Sequence, residues 1–347
     1  MATTLAPEEF VHKLRSTPAI DVRSPGEFQT GHIPGAVNIP IFNNEERAIV
    51  GTIYKKESRE PAVFKGLEIV GAKLRDFAEQ AHSIAKNNEL LIYCWRGGMR
   101  SASMAWLFET IGIKCYTLEG GYKAFRRFGK YQLTKGNKLI ILGGYTGSGK
   151  TAILQELVKQ GEQVLDLESI ANHKGSAFGA LGQNEQPPNE QFENLVIWKW
   201  ISFDLSKPIW LEDESKSIGA NWIPQELFDR MRKATVINIL LDNQSRIERL
   251  MKEYAVYDTK HLENCVLKIS KRLGGQNTKE ALESLKSGNL ATVAKIALSY
   301  YDKTYRYGLE KREKHTVFPI KLESDNPKKN ATKIIDFIQA RFTSLPK

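Results

Sequence analysis

Short apolar runs alternate with longer stretches in which apolar residues recur every three or four positions. The runs Ala19–Val22, Leu90–Tyr93 and Lys114–Leu118 predict strands in the first third of the chain. Between them, Leu67–Ala85 carries Leu67, Val70, Leu74, Phe77 and Ala81 at helical spacing, and Ser101–Ile111 carries Ala105, Phe108 and Ile111. Pro25-Gly26 and Gly31 to Gly35 read as loops. A second series follows: strands at Leu139–Leu142, Val164-Leu165, Ile209–Leu211 and Thr235–Leu241, and a helix Ala152–Gln160 with Gly161 placed to cap it. Ser245 to Arg312 reads as mostly helical and basic, Thr316–Ile320 as a late strand and Lys333–Phe342 as a closing helix. Strand, loop and helix in alternation predict parallel sheets covered by helices.

Arg126, Arg127, Lys130 and Lys135-Gly136 form a polar, basic stretch between the two series, and it reads as a linker. The chain therefore divides into an α/β domain over residues 1–128 and a second α/β domain with a basic helical C-terminal part over residues 129–347. Two domains suit a length of 347 residues.

With 41% hydrophobic and 26% charged residues, the composition is that of a folded globular chain, and no apolar run approaches a membrane span. No membrane association is expected. Met1 to Phe10 lacks a signal-peptide pattern, and Cys94, Cys115 and Cys265 are too far apart for a CxxC site or a disulfide framework. A reducing cytoplasm is the expected compartment. The net charge of +10 favours a polyanionic partner, nucleic acid before membrane.

Cys94-Trp95-Arg96-Gly97-Gly98-Met99-Arg100-Ser101 lies between a predicted strand and a predicted helix. Such a loop turns its backbone N–H groups towards one point and adds the positive end of a helix dipole. It binds an anion and lowers the pKa of a cysteine at its mouth, which makes Cys94 a candidate nucleophile and Trp95, Arg96, Gly97, Gly98, Met99 and Arg100 its anion-binding loop. This loop, with Asp21-Val22-Arg23, Gly31-His32-Ile33-Pro34-Gly35-Ala36 and Glu119-Gly120-Gly121, resembles the rhodanese family over about Pro7 to Arg127. The resemblance implies a parallel-sheet domain whose cysteine carries sulfur or selenium. Common sulfurtransferase loops have four residues between cysteine and arginine; here there are five, as in cysteine phosphatases, a loop wide enough for a tetrahedral, phosphate-like anion.

Gly144-Tyr145-Thr146-Gly147-Ser148-Gly149-Lys150-Thr151 fits G-x4-G-K-[ST] between an apolar strand and a helix. Gly144, Gly147, Ser148 and Gly149 expose backbone N–H groups to phosphate oxygens, Lys150 pairs with a terminal phosphate, and the Thr151 hydroxyl suits Mg²⁺. Glu212, Asp213 and Glu214 close the strand that ends at Leu211, where a P-loop protein holds its metal or water. Asp213 is the candidate metal ligand beside Thr151, with the choice among the three acids open. His173, Lys174 and Ser176, in a second polar loop, are candidate phosphate donors. Trp198, Trp200, Trp210 and Trp222 read as core for the most part, and the remaining histidines show no ligand spacing. In the basic helical part Arg246, Arg249, Lys271 and Arg272 are candidate nucleic-acid contacts, with a solvated face as the competing reading.

The two domains together resemble the tRNA 2-selenouridine synthases over essentially the whole chain. The matching stretches are the cysteine loop, Gly143 to Thr151, Ala171 to Gly179 and Trp210 to Gly219. The resemblance implies a wobble-position 5-substituted 2-thiouridine of tRNA as substrate, S-geranylated with geranyl diphosphate and then converted to 2-selenouridine with selenophosphate. It implies no tightly bound cofactor, with Mg²⁺ as an optional ion. An ATP-dependent kinase or ATPase fused to a sulfurtransferase or cysteine phosphatase is the alternative, and a non-catalytic tRNA-binding module a further one; intact Cys94 and Lys150 argue against the last.

Overall fold

The computed structural model describes residues 2–136 and 138–342. The chain forms two five-stranded parallel sheets, each covered by helices, as the alternating pattern predicts. In the first, β1 (Thr3–Leu5), β2 (Ala19–Asp21), β3 (Val37–Asn38), β4 (Glu89–Tyr93) and β5 (Lys114–Leu118) lie in the order β1-β5-β4-β2-β3. In the second, β6 (Leu139–Gly144), β7 (Gln163–Leu165), β8 (Ile209–Glu212), β11 (Thr235–Leu240) and β12 (Val317–Lys321) lie in the order β12-β11-β6-β8-β7. A small antiparallel pair, β9 (Ser217–Ile218) and β10 (Asn221–Trp222), stands apart. The strand β6 is paired on both sides, Ile141 with Val236 and with Leu211, and every one of its residues is buried. Its continuous apolar run is what burial on both faces requires. The strand β4 is likewise paired on both sides, with β2 and β5. Each chemical loop therefore leaves the C-terminal end of a central strand, where open parallel sheets bind ligands.

The first sheet packs Ile20, Ile92, Phe77, Met104 and Phe108 into one core, and the second packs Leu142, Leu154, Trp210, Ile237 and Ile334 into another. The C-terminal helices have a third core around Leu250, Tyr254, Leu262, Val266 and Leu298.

Three expectations change. The apolar stripe over Leu67–Ala85 is two helices, Arg59–Gly71 and Leu74–Ile84. The break falls at Lys73, whose ammonium reaches back to Glu46; Phe77 and Ala81 enter the core, while Leu67 stays 62% exposed. The basic stretch expected as a linker belongs largely to the helix Gly121–Leu133. Tyr122, Ala124, Phe125 and Leu133 bury one face of it, so its arginines and lysines mask an amphipathic period. The helix Asn189–Trp200, read with the second domain, packs with the first.

By contacts, one compact unit holds the chain up to Gln132 together with Pro188–Ile201, and the other holds Leu133–Pro187 and the chain from Ser202 onward. The inserted helix is held to its unit by polar bonds. Asn194 is fully buried and donates to the His32 carbonyl at 2.9 Å and to the Tyr122 hydroxyl at 2.7 Å. Gln191 accepts from the His32 N–H at 2.8 Å, and Arg126 pairs with Glu193. Among the described residues, no helix is long and apolar enough to cross a membrane.

Candidate functional site

Two anion cradles stand at the ends of β4 and β6. The loop after β4 wraps around Cys94, whose Sγ accepts from the Gly98 N–H at 3.3 Å and lies 3.3 Å from the Ser101 hydroxyl. Gly97 and Gly121 have φ of +66° and +61°, and each is pressed against the other's segment. A Cβ on Gly121 would stand 2.3 Å from the Cys94 carbonyl oxygen, and one on Gly97 would stand 2.5 Å from that of Leu118. The Glu119-Gly120-Gly121 turn is thus the wall of the cysteine loop, and only glycine fits it. Tyr122 and Lys123 continue the wall by donating backbone N–H groups to the carbonyls of Cys94 and Trp95.

Burial works to raise the Cys94 thiol pKa, but the Ser101 hydroxyl and N–H, the Gly98 N–H and the Arg100 charge outweigh it and hold the thiol below its ordinary value. Cys115 has no such donors, and burial pushes it up to about 12; Cys265 is raised as well. Arg100 is fixed by Glu27 at 3.1 Å, and Arg96 and Met99 are exposed at the loop. Trp95 packs on Tyr122, with ring centroids 5.6 Å apart. Asp21 and Arg23 form a fully buried pair at 2.6 Å, and Arg23 also donates to the Gly31 carbonyl. That pair ties β2 to the Gly31–Gly35 turn and is structural.

The loop after β6 has Gly147 and Gly149 at φ +77° and +79°, and the helix Lys150–Lys159 starts from it. Lys150 lies 3.1 Å from the Gly144 carbonyl and 3.3 Å from Glu212. Burial opposes its charge, but Glu212, Glu168 and Glu214 together keep it protonated. Thr151 donates towards Glu212 at 3.3 Å and Glu168 at 3.4 Å. Carboxylate oxygens of Glu168, Glu212 and Glu214 lie within 4.8 Å of one another. All three are held above the ordinary carboxyl range, first by burial; in Glu168 and Glu214 the charge of Glu212 adds to it. Three crowded acids beside one lysine resist ionising together, a cation would favour their charged forms, and an all-oxygen donor set suits a hard one such as Mg²⁺. Thr151 and Glu212 are the residues that would hold it, and it would neutralise phosphate charge there.

The loop His173–Gly179 faces the same acids: a Cβ on Gly175 would lie 2.9 Å from Glu214 and 3.0 Å from Glu168. His173 accepts the Gly175 N–H at 3.1 Å, and burial, then Lys268, lowers its pKa. The Ser176 hydroxyl accepts from the Phe178 N–H at 3.2 Å. Lys174, Gly175 and Ser176 line a cleft of about 830 Å³ with the P-loop, the acids and an apolar wall that includes Phe178, Leu181, Leu250 and Tyr254.

The sequence model of the tRNA 2-selenouridine synthase AAA domain matches residues 137–326, and that of the rhodanese-like domain matches residues 6–128. The chain belongs to the tRNA 2-selenouridine synthase family. Its role is therefore in tRNA 2-selenouridine synthesis, with tRNA as the substrate. Among solved structures, the N-terminal domain of a protein described as ATP/GTP binding from Clostridium difficile 630 is 43% identical, covering 36% of this chain and 98% of that one, with a TM-score of 0.35. A rhodanese-like domain protein from Staphylococcus aureus is 25% identical over 35% of this chain and 90% of that one, at a TM-score of 0.23. A rhodanese-related protein from Thermoplasma volcanium is 19% identical over 37% and 93%, at 0.25.

Several candidate residues of this family member take other places than the sequence implies. Asp213 does not face Thr151. Side chains alternate along an extended segment, so Glu212 and Glu214 turn to the P-loop while Asp213 turns to Arg312, at 2.5 Å, and Arg232, at 4.0 Å. Glu212 is the acid beside Thr151. Arg246 is 4% exposed, donates to the Thr146 carbonyl at 2.9 Å and holds Asp302 through both Nη atoms. It braces the P-loop and cannot track a phosphate backbone. Arg249 also faces the P-loop, as described below. Lys271 and Arg272 are exposed, Arg272 with the Tyr300 hydroxyl at 2.9 Å. Trp200 and Trp210 are core, Trp222 is 57% exposed, and no tryptophan lines the cleft.

Glu168 escapes sequence reading because it stands in the short helix Leu167–Ala171 after β7 and becomes an acid of the site only when the sheet forms. Tyr301 and Tyr305 were also missed. Their hydroxyls accept the N–H groups of Ala177 and Gly144 at 2.9 and 2.7 Å, so one helix face pins both loops. Their i,i+4 spacing was the available signal.

Proposed function

We propose that the synthase acts in two steps on a wobble-position 5-substituted 2-thiouridine of tRNA. At the P-loop, geranyl diphosphate alkylates the thione sulfur; at the Cys94 loop, selenium from selenophosphate replaces the S-geranyl group. The observation that supports this best is the cleft itself. It runs from the phosphate cradle of Lys150 and Thr151 to Phe178, Leu181, Leu250 and Tyr254, so a diphosphate and an apolar chain fit one site. Alkylation is chemically useful, since a thioether leaves carbon more readily than a thione sulfur does. The Cys94 loop offers N–H donors and a lowered thiol pKa, which suits a selenium-bearing anion. The three free cysteines fit a reducing cytoplasm as the working compartment.

Incubating the protein with 2-thiouridine-containing tRNA and geranyl diphosphate, then adding selenophosphate, should give S-geranyl nucleoside first and selenouridine second by mass spectrometry. Tight ATP binding with no response to geranyl diphosphate would overturn this in favour of a nucleotide-dependent enzyme.

A further inference from the structure

We propose that Arg249 is a further phosphate-binding residue of the P-loop cleft, and that Asp325 is the internal carboxylate that occupies it while the cleft is empty. This rests on the reading of the cleft as a diphosphate site. Arg249 belongs to the helix Asn243–Tyr254, one turn after Arg246. Arg246 grips the P-loop backbone, and that grip sets where Arg249 stands: a Cβ on Gly149 would be 2.9 Å from its Nη2. Its guanidinium thus lies against the residue that precedes Lys150, and it lines the cleft.

Arg249 is engaged there in a two-point pair, with Nη2 at 2.6 Å and Nε at 3.1 Å from the two oxygens of Asp325. Asp325 comes from the turn between β12 and the helix Pro327–Phe342. The planar guanidinium fork that matches a carboxylate matches a phosphate equally well. The pair is partly open, with side chains 18% and 32% exposed, so exchange of one anion for another needs no burial of an unpaired charge. Arg246 also makes a two-point pair with a carboxylate, Asp302, but it is itself buried and its Nε is spent on the Thr146 carbonyl.

In alkylation the S–C1 bond forms, the C1–O bond of geranyl diphosphate breaks, the electron pair leaves with the diphosphate and the nucleobase N–H proton passes to water. Negative charge grows on the diphosphate as it departs, and Arg249 supplies a second fixed cation beside Lys150 to take it up. No proton moves at Arg249.

Inorganic pyrophosphate is the probe, titrated calorimetrically into the full chain at fixed salt. Arg249→Ala should weaken binding at least about tenfold, the loss expected for one charge-assisted partner, and Arg249→Lys should recover only part, because an ammonium lacks the fork. Asp325→Ala should tighten binding several-fold, since the competing anion is gone, and Asp325→Asn should do so to a similar degree. A purely structural pair would behave otherwise: Asp325→Ala would lower the melting temperature and weaken or leave unchanged the affinity, and that result would overturn the proposal. If wild type binds pyrophosphate and Arg249→Ala binds it as well, Arg249 has no such role while the diphosphate reading stands. If wild type does not bind pyrophosphate, the diphosphate reading itself fails.

Discussion

The two cradles use one backbone device and differ in what fills it. Both follow a central strand, both curl through glycines at positive φ, and both open a helix. The Cys94 loop closes on a sulfur atom, with N–H and hydroxyl donors and two arginines and no lysine or acid cluster in the loop itself. The P-loop is lined by one lysine and three crowded carboxyls, with a wide cleft beside it. On the function proposed above, the first holds a reactive atom and the second a charged group with a long substituent. An N–H cradle therefore selects for an anion, and the side chains at its rim decide whether that anion is attacked, transferred or released.

The most forceful way to break this comparison is to disable each cradle alone. Cys94→Ser should cut selenouridine formation by about a hundredfold or more while S-geranylation persists, so that S-geranyl tRNA accumulates; Lys150→Ala should stop the first step, and with it selenouridine formation from 2-thiouridine tRNA, but should still convert S-geranyl tRNA supplied ready-made. The amounts of the two nucleosides after a fixed time decide it, and loss of both products in Cys94→Ser, or failure of Lys150→Ala to convert supplied S-geranyl tRNA, would show that the cradles are not independent. A smaller effect tests the wall. Gly121→Ala forces a Cβ to 2.3 Å from the Cys94 carbonyl oxygen at φ +61° and should cost about 2–3 kcal/mol of stability, read by denaturant unfolding. Gly98→Ala, where a Cβ meets nothing within 4 Å, is the control.

Smaller again is the thiol itself. Because the Cys94 pKa is lowered, its thiolate fraction at neutral pH exceeds that of Cys115 and Cys265, both raised. Iodoacetamide at pH 7 should mark Cys94 first, and Ser101→Ala should move its alkylation profile to higher pH by removing the main lowering donor. Equal labelling of the three would show that the loop does not activate sulfur. The smallest effect tests the inserted helix. Asn194→Ala leaves buried partners unpaired and should cost roughly 1–3 kcal/mol in the unit that contains Cys94, seen as faster hydrogen exchange around His32 and Tyr122 with the P-loop unaffected.

Cys94 and its loop, and Gly144 through Thr151, were legible because each is a contiguous segment whose residue types answer a local geometric demand. Most sheet strands were legible for a related reason: burial on both faces writes a continuous apolar run. Thr3–Leu5 was not, being a short edge strand with exposed residues. The helix Gly121–Leu133 was hidden by its own charges: Lys123 and Arg127 are exposed, while Arg126 lies on the side of Tyr122 and bonds to Asn194 and Glu193.

Local sequence determined where the two anion cradles lie, which of them carries a thiol and which a lysine, and the parallel α/β class that presents them at strand ends. Tertiary structure alone decided which of Glu212, Asp213 and Glu214 meets Thr151, that Glu168 joins them, that the helix Asn189–Trp200 packs with the Cys94 unit, and that Arg246 and Arg249 serve the P-loop. The reason is the range of the interactions. A phosphate cradle is a matter of a few consecutive dihedral angles, whereas the partner of a carboxylate or a guanidinium is set by segments some 60 to 100 residues away, as Glu212 is from Thr151 and Arg246 from Thr146. Residue type states what such a side chain can bind; only packing states what it does bind.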